Sequence, residues 1–121
     1  MRVSHQAVEV FRRFAPADAV PPWEGLADFA PALGDQVRHG LGSVLARPEL
    51  DLRTRELLTI CMLAVLGDCE PQLEFHVGGA IRAGATPTEV VEALTQVSLY
   101  AGLPRALNAI TVARRVLVSD G

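Results

Sequence analysis

Charge is scarce in this chain. Asp, Glu, Lys and Arg make up only 21% of its 121 residues, against roughly 25% in an average domain. The 11 basic and 14 acidic residues leave a net charge of −3. The arginines are spread along the chain with no basic stripe to follow a phosphate backbone, so nucleic acid is not an expected partner. Cysteine is limited to Cys61 and Cys69, too few for a disulfide framework, and in a reducing compartment both would stay thiols. No apolar stretch reaches membrane-spanning length, and the opening Met1-Arg2-Val3-Ser4-His5 lacks the basic region and apolar run of a secretion signal. A soluble cytoplasmic protein without a membrane partner is the expectation. Repeats, low-complexity tracts and interdomain linkers are missing, as are a phosphate-binding glycine loop and a nucleophile elbow. His5 and His39 are remote from His76 in sequence, and no His, Cys, Asp and Glu set has metal-ligand spacing, so neither a metal nor a cofactor is expected.

What the chain has in abundance is apolar surface. Half its residues are hydrophobic, and a single domain spanning residues 1–121 has trouble hiding that much on its own. A homo-oligomer follows, because obligate interfaces resemble a domain core cut in half. Apolar residues recur at helical spacing nearly everywhere and no alternating run is long enough for a strand, so the expected fold is all-α, with about six helices.

The clearest punctuation is Thr86-Pro87-Thr88-Glu89. Thr86 and Glu89 have the spacing of a reciprocal capping box, Pro87 fits the first helical position, and Gly84 is placed to close the preceding helix. Upstream, Ser4 to Phe14 reads as a first helix. A second helical region starts near Trp23, restarts around Pro31, and is broken up by Gly40, Gly42 and Pro48. Asp51 is a suitable N-cap for a helix over Leu52 to Leu66, whose apolar residues lie on all sides and place it centrally, covered on most faces. Helices from Pro71 to Ala83, Pro87 to Gly102 and Pro104 to Leu117 complete the chain.

On the Pro71 helix, Leu73, His76, Val77 and Ala80 share one face. An imidazole facing inward is costly to bury unless it is hydrogen-bonded or used, which makes His76 the leading catalytic candidate. A satisfied core histidine is the commoner case. Glu56, one turn into the long apolar helix, meets His76 if the two helices pack antiparallel, and would orient the ring for general acid or base work; an acid near a helix N-terminus also has an ordinary role opposing the macrodipole. Arg53 and Arg55 are candidates for holding a substrate carboxylate through paired N–H donors. Cys69 stands at the junction before the His76 helix as a candidate for thiol chemistry, but Gln72 occupies the place of a redox partner three residues on.

Together, Leu50-Asp51 with Arg53-Thr54-Arg55-Glu56-Leu57, then His76, then Ala83-Gly84-Ala85-Thr86-Pro87-Thr88-Glu89-Val90, then Tyr100-Ala101-Gly102-Leu103-Pro104, resemble the carboxymuconolactone decarboxylase family over about residues 24–118. The resemblance implies an all-α fold built around a central helical hairpin, assembled as trimers or hexamers, with pockets near subunit contacts. It also implies one of two chemistries. One branch decarboxylates γ-carboxymuconolactone in aromatic degradation without a cofactor; the other, similar to alkyl hydroperoxidase D, reduces peroxides through a Cys-x-x-Cys pair followed by a histidine. Here that pair is broken at Gln72. The decarboxylase branch implies His76 for proton transfer, Glu56 for orientation, Arg53 or Arg55 as carboxylate clamp, and Cys69, Gln72 and Tyr100 near the substrate. Cys69, Gln72 and Arg105 depart from that branch, so pocket polarity and substrate can differ with them. The expected activity is therefore a cofactor-free carboxy-lyase acting on a small carboxylated lactone or related unsaturated acid. The alternatives are a peroxide-reducing or redox-sensing protein using Cys69, a member recruited to another proton-transfer reaction in biosynthesis, and a non-catalytic oligomeric binding protein.

Overall fold

The computed structural model describes residues 2–119, which contain α-helices, one π-helical turn and, among the described residues, no strand. The chain divides into two compact units, residues 1–52 and 53–121.

The first unit holds α1 (Arg2–Phe14), the short α2 (Pro22–Gly25) and α3 (Pro31–Gly40), which runs directly into a π-helical turn over Leu41–Leu45. Its core is the buried stripe Ala7, Val10, Phe11 and Phe14 of α1 together with Trp23. Phe11 packs edge-on against both Phe14 and Trp23, with ring centroids 5.7 Å apart in each pair. The Arg38 guanidinium lies over the Trp23 ring, 5.5 Å from its centroid.

Gly40 and Gly42 do not break this segment as their sequence context suggests. Gly40 keeps right-handed helical angles, φ −61° and ψ −43°, and Gly42 is buried inside the π-helical turn. A Cβ at Gly42 would lie 2.1 Å from the Val3 carbonyl oxygen. The glycine is there for close approach of two backbones, a use of this residue that a linear reading mistakes for flexibility.

The second unit holds α4 (Leu52–Leu66), α5 (Glu70–Arg82), α6 (Pro87–Ala101) and α7 (Leu103–Ser119). Its core gathers Ile60 and Ala64 of α4, Leu73, Val77 and Ala80 of α5, Val90, Leu94 and Val97 of α6, and Ala106, Ala109, Val112 and Ala113 of α7. The small α7 residues let neighbouring helices come close, and α7 packs against both α5 and α6.

The ends of α5 and α6 have local causes. The capping box forms at Thr86: the Glu89 N–H donates to Thr86 Oγ1 at 3.1 Å, and the Thr86 N–H donates to Glu89 Oε1 at 2.9 Å. α5 ends in a Schellman motif, with Gly84 at φ +111°, its N–H on the Ile81 carbonyl and the Ala85 N–H on the Ala80 carbonyl. Between α6 and α7 the chain turns on Gly102 alone, at φ +98°.

α4 is less covered than the helix expected to be enclosed on most faces. Leu52, Glu56, Ile60 and Ala64 form its buried stripe, but Leu58, Met62, Val65 and Leu66 are exposed. With Cys61 they line an open, almost wholly apolar depression.

Candidate functional site

The turn after α4 sets up the site. Gly67 and Asp68 both take left-handed angles, φ +76° and +56°, and reverse the chain into α5. Near the turn, the Cys69 thiol donates to the Leu63 carbonyl at 3.2 Å. Seven residues further along each helix, in opposite directions, His76 Nδ1 lies 2.8 Å from Glu56 Oε1. α4 and α5 are thus the two arms of an antiparallel helical hairpin, and their register brings the carboxylate to the imidazole.

The two partners differ in access. Glu56 is fully enclosed, at 0% exposure, whereas 20% of the His76 side chain reaches the surface. Glu56 belongs to the buried i, i+4 stripe of α4, a place otherwise taken by Leu52, Ile60 and Ala64. Its Oε2 is also buried and has no hydrogen-bond partner. A carboxylate accepts, so where His76 donates to it the ring's proton is held on Nδ1. The Phe75 ring stands edge-on to the imidazole, 5.2 Å between centroids and 84° between planes. That neighbour went unnoticed in the sequence, although a large aromatic next to a candidate histidine is a signal for it.

The other candidates take varied positions. Arg53 Nη1 is 2.7 Å from Glu89 Oε2 and links the first turn of α4 to the capping box of α6. Its guanidinium thus already holds a carboxylate of the chain itself. Arg55 is half-buried one residue before Glu56, and its carbonyl accepts from the Thr59 hydroxyl at 2.9 Å. Cys69 precedes α5 as its N-cap residue, about 10 Å of helix axis before His76 at 1.5 Å per residue. Gln72 is exposed on α5, and Tyr100, at the end of α6, is 86% exposed. The structure therefore joins Glu56 with His76, and puts Gln72 and Tyr100 on the surface of this chain.

Two features bear on thiol chemistry. Cys69 lines a cavity of about 40 Å³ together with Arg105 and Asn108, and the Arg105 guanidinium lies over Gly67, where a Cβ would fall 1.6 Å from its Nη1. Cys61, on α4, donates to the Ala93 carbonyl at 3.5 Å, and burial pushes its thiol above the ordinary value of 9.0. Among the described residues, no group of three or more His, Cys, Asp or Glu is placed to hold a metal ion, and no helix is long and apolar enough to cross a membrane.

The motifs around this hairpin resemble the carboxymuconolactone decarboxylase family, and comparison with known proteins agrees on the family. The profile of the carboxymuconolactone decarboxylase family matches residues 31–115. The chain belongs to that family. It is 34% identical over 114 residues to an uncharacterised 15.0 kDa protein of the nqo9-nqo10 intergenic region in Paracoccus denitrificans, covering 93% of this chain and 85% of that one. It is 38% identical over 84 residues to a 4-carboxymuconolactone decarboxylase of Acinetobacter baylyi, covering 69% of this chain and 62% of that protein. A nitrosuccinic acid decarboxylase of Metarhizium robertsii is 34% identical over 77 residues, covering 63% and 52% respectively. The chain thus matches less than two thirds of the length of each decarboxylase-named relative, and these names with the family support a decarboxylase-type function.

Proposed function

We propose that this protein is a decarboxylase that needs no cofactor, acts on a small carboxylated lactone such as γ-carboxymuconolactone or on a related activated acid, and uses His76 for proton transfer. The observation that carries the reading is the 2.8 Å bond between His76 Nδ1 and a fully buried Glu56, in a chain with two decarboxylase-named relatives. In the reaction, the C–C bond to the departing carboxylate breaks, its electron pair moves into the adjoining conjugated carbonyl, CO2 leaves, and Nε2 of His76 returns a proton to carbon. Solvent then restores the proton to the ring. Glu56 holds the ring in one orientation and opposes the positive charge that the protonated imidazole carries.

The two names share a chemical theme. Each denotes loss of CO2 from an acid that also carries an electron-withdrawing group, a lactone in one and a nitro group in the other, and both groups delocalise the electron pair left behind. The substrate class is therefore an acid whose carboxylate sits on, or is conjugated to, such a carbon. Arg53 or Arg55 is the clamp for it, and Arg53 would have to exchange its pairing with Glu89 for the substrate.

The same reading takes the protein as a homo-oligomer, a trimer or hexamer, supported by the exposed Leu58, Met62, Val65 and Leu66 on α4. Tyr100, so exposed in one chain, would then approach substrate at a contact between copies. Peroxide reduction through Cys69 is the weaker reading, since Gln72 stands where a resolving thiol is needed.

The test is a panel of activated acids, including γ-carboxymuconolactone, nitrosuccinate and a saturated carboxylic acid, incubated with pure protein while released CO2 is measured. Release from an activated acid but not from the saturated one is expected. No release from any of them, with peroxide consumed and the consumption lost in Cys69→Ser, would replace decarboxylation by thiol chemistry.

A further inference from the structure

Glu56 presents two carboxylate oxygens to the interior and only one is bonded. Oε1 meets His76, while Oε2 is buried without a hydrogen-bond partner. A buried acceptor left unpaired is destabilising relative to the same group in water, and more so when it carries charge. The surroundings make the anomaly sharper. Leu52, Ile60 and Ala64 continue the same stripe of α4, all buried and all apolar. A leucine would suit position 56 as a packing residue.

We propose that Glu56 is a positioning residue held in the core at a cost in stability, and that the fold of residues 53–121 stands at least as well without the Glu56–His76 pair as with it. This goes beyond the proposed decarboxylase and rests on it for the reason the pair is kept. The inference follows from the asymmetry of buried polar pairs. Replacing both members by apolar residues of similar volume is often neutral or stabilising, whereas removing one leaves the other buried and unpaired and is strongly destabilising. A pair that served the fold would be satisfied at every polar atom, because that is how buried networks contribute rigidity. This one is satisfied on one side.

Three variants read this out: His76→Leu, the double variant Glu56→Leu with His76→Leu, and Glu56→Gln. His76→Leu alone is expected to melt lower than the parent by roughly 5 °C or more, the size of shift that a loss of this kind gives in a small domain. The double variant is expected to melt at or above the parent temperature. Glu56→Gln reports positioning directly. In long-range proton–nitrogen NMR spectra recorded at a pH where the ring is neutral, the parent His76 ring is expected to carry its proton on Nδ1 in a single form, and in Glu56→Gln to distribute between the two tautomers.

A double variant that fails to fold, or melts lower than His76→Leu, overturns the inference and makes the pair structural. An unchanged His76 tautomer in Glu56→Gln overturns the positioning role. Neither readout depends on turnover. Absence of CO2 release by the parent from every activated acid would remove the decarboxylase reading, and release that survives in His76→Gln would remove His76 from the proton transfer; either leaves the melting result to stand or fall on its own.

Discussion

Side chains in this protein are best understood by what each oxygen, nitrogen or sulfur atom touches. Glu89 shows why that matters. One oxygen accepts from the Thr86 N–H and the other from Arg53, so a carboxylate whose place in a capping box was evident from the sequence also engages an arginine 36 residues away. That second partner was not legible, because a capping box by itself accounts for only one of the two oxygens. Arg53 accordingly read as a substrate clamp. His76 and Glu56 were more accessible to inference: the spacing of Leu73, His76, Val77 and Ala80 put the imidazole on the inner face, and an antiparallel hairpin brought the acid to it. Burial itself could not be read. Only the structure separates a wholly enclosed Glu56 from an exposed Tyr100. At this scale Cys61 supplies a prediction. Its thiol, raised by burial and donating to the Ala93 carbonyl, is expected to react with iodoacetamide at pH 7.5 more slowly than a free thiol of ordinary pKa, as followed by mass spectrometry of the modified peptide. Labelling at the rate of a small free thiol would contradict that environment.

Among the elements, α6 has the best-defined start. The Thr86 N–H foremost, and then the Arg53 guanidinium, hold the Glu89 carboxyl below its ordinary value of 4.5. A carboxyl depressed in the folded state contributes stability above its unfolded value and loses it as pH falls through the folded one. In Thr86→Ala the melting temperature is therefore expected to fall at pH 7, from a loss of about 1 kcal/mol of capping energy. In the parent, Glu89 contributes a loss of stability on acidification that begins near pH 4.5 and grows below it; Glu89→Gln removes that contribution. Melting curves of the three proteins between pH 7 and pH 3 measure both. Equal acid sensitivity of Glu89→Gln and parent would show that the carboxylate is not tuned by its partners. Helix ends were readable wherever residue chemistry forces an end, as at Gly84, Thr86 and Pro87. They were misread around Gly40 and Gly42, where a glycine required by the nearby Val3 backbone looks the same in sequence as one that ends a helix.

On the scale of the whole molecule, the excess of apolar residues was evident at once, but where it lies was not. α4 is apolar on nearly every side, so its sequence gives no indication of which face meets the core; the structure buries Leu52, Ile60 and Ala64 and leaves Leu58, Met62, Val65 and Leu66 outside. An all-helical fold was legible because helical spacing continues along the chain and alternating runs do not occur. The family was legible because its motifs lie at the ends of helices and in the hairpin, where chemistry restricts the choice of residue. If the exposed face of α4 joins copies of the chain, Met62→Lys is expected to reduce the solution mass toward the 13.0 kDa of one chain, as measured by light scattering after size exclusion, because an ammonium in an apolar contact stays unpaired. A parent that already runs at 13.0 kDa, or a variant whose assembly is unchanged, would place that face outside any interface.

The central claim is that the imidazole of His76, oriented by Glu56, moves the proton in a decarboxylation. Its most direct measurement is release of labelled CO2 from a carboxyl-labelled activated acid by the parent and by His76→Gln, with helical content and assembly mass matched by circular dichroism and light scattering. The account predicts turnover in the parent and a loss of at least about 100-fold in the variant, the low end of what a positioned acid or base contributes. Equal release by the two proteins would contradict it.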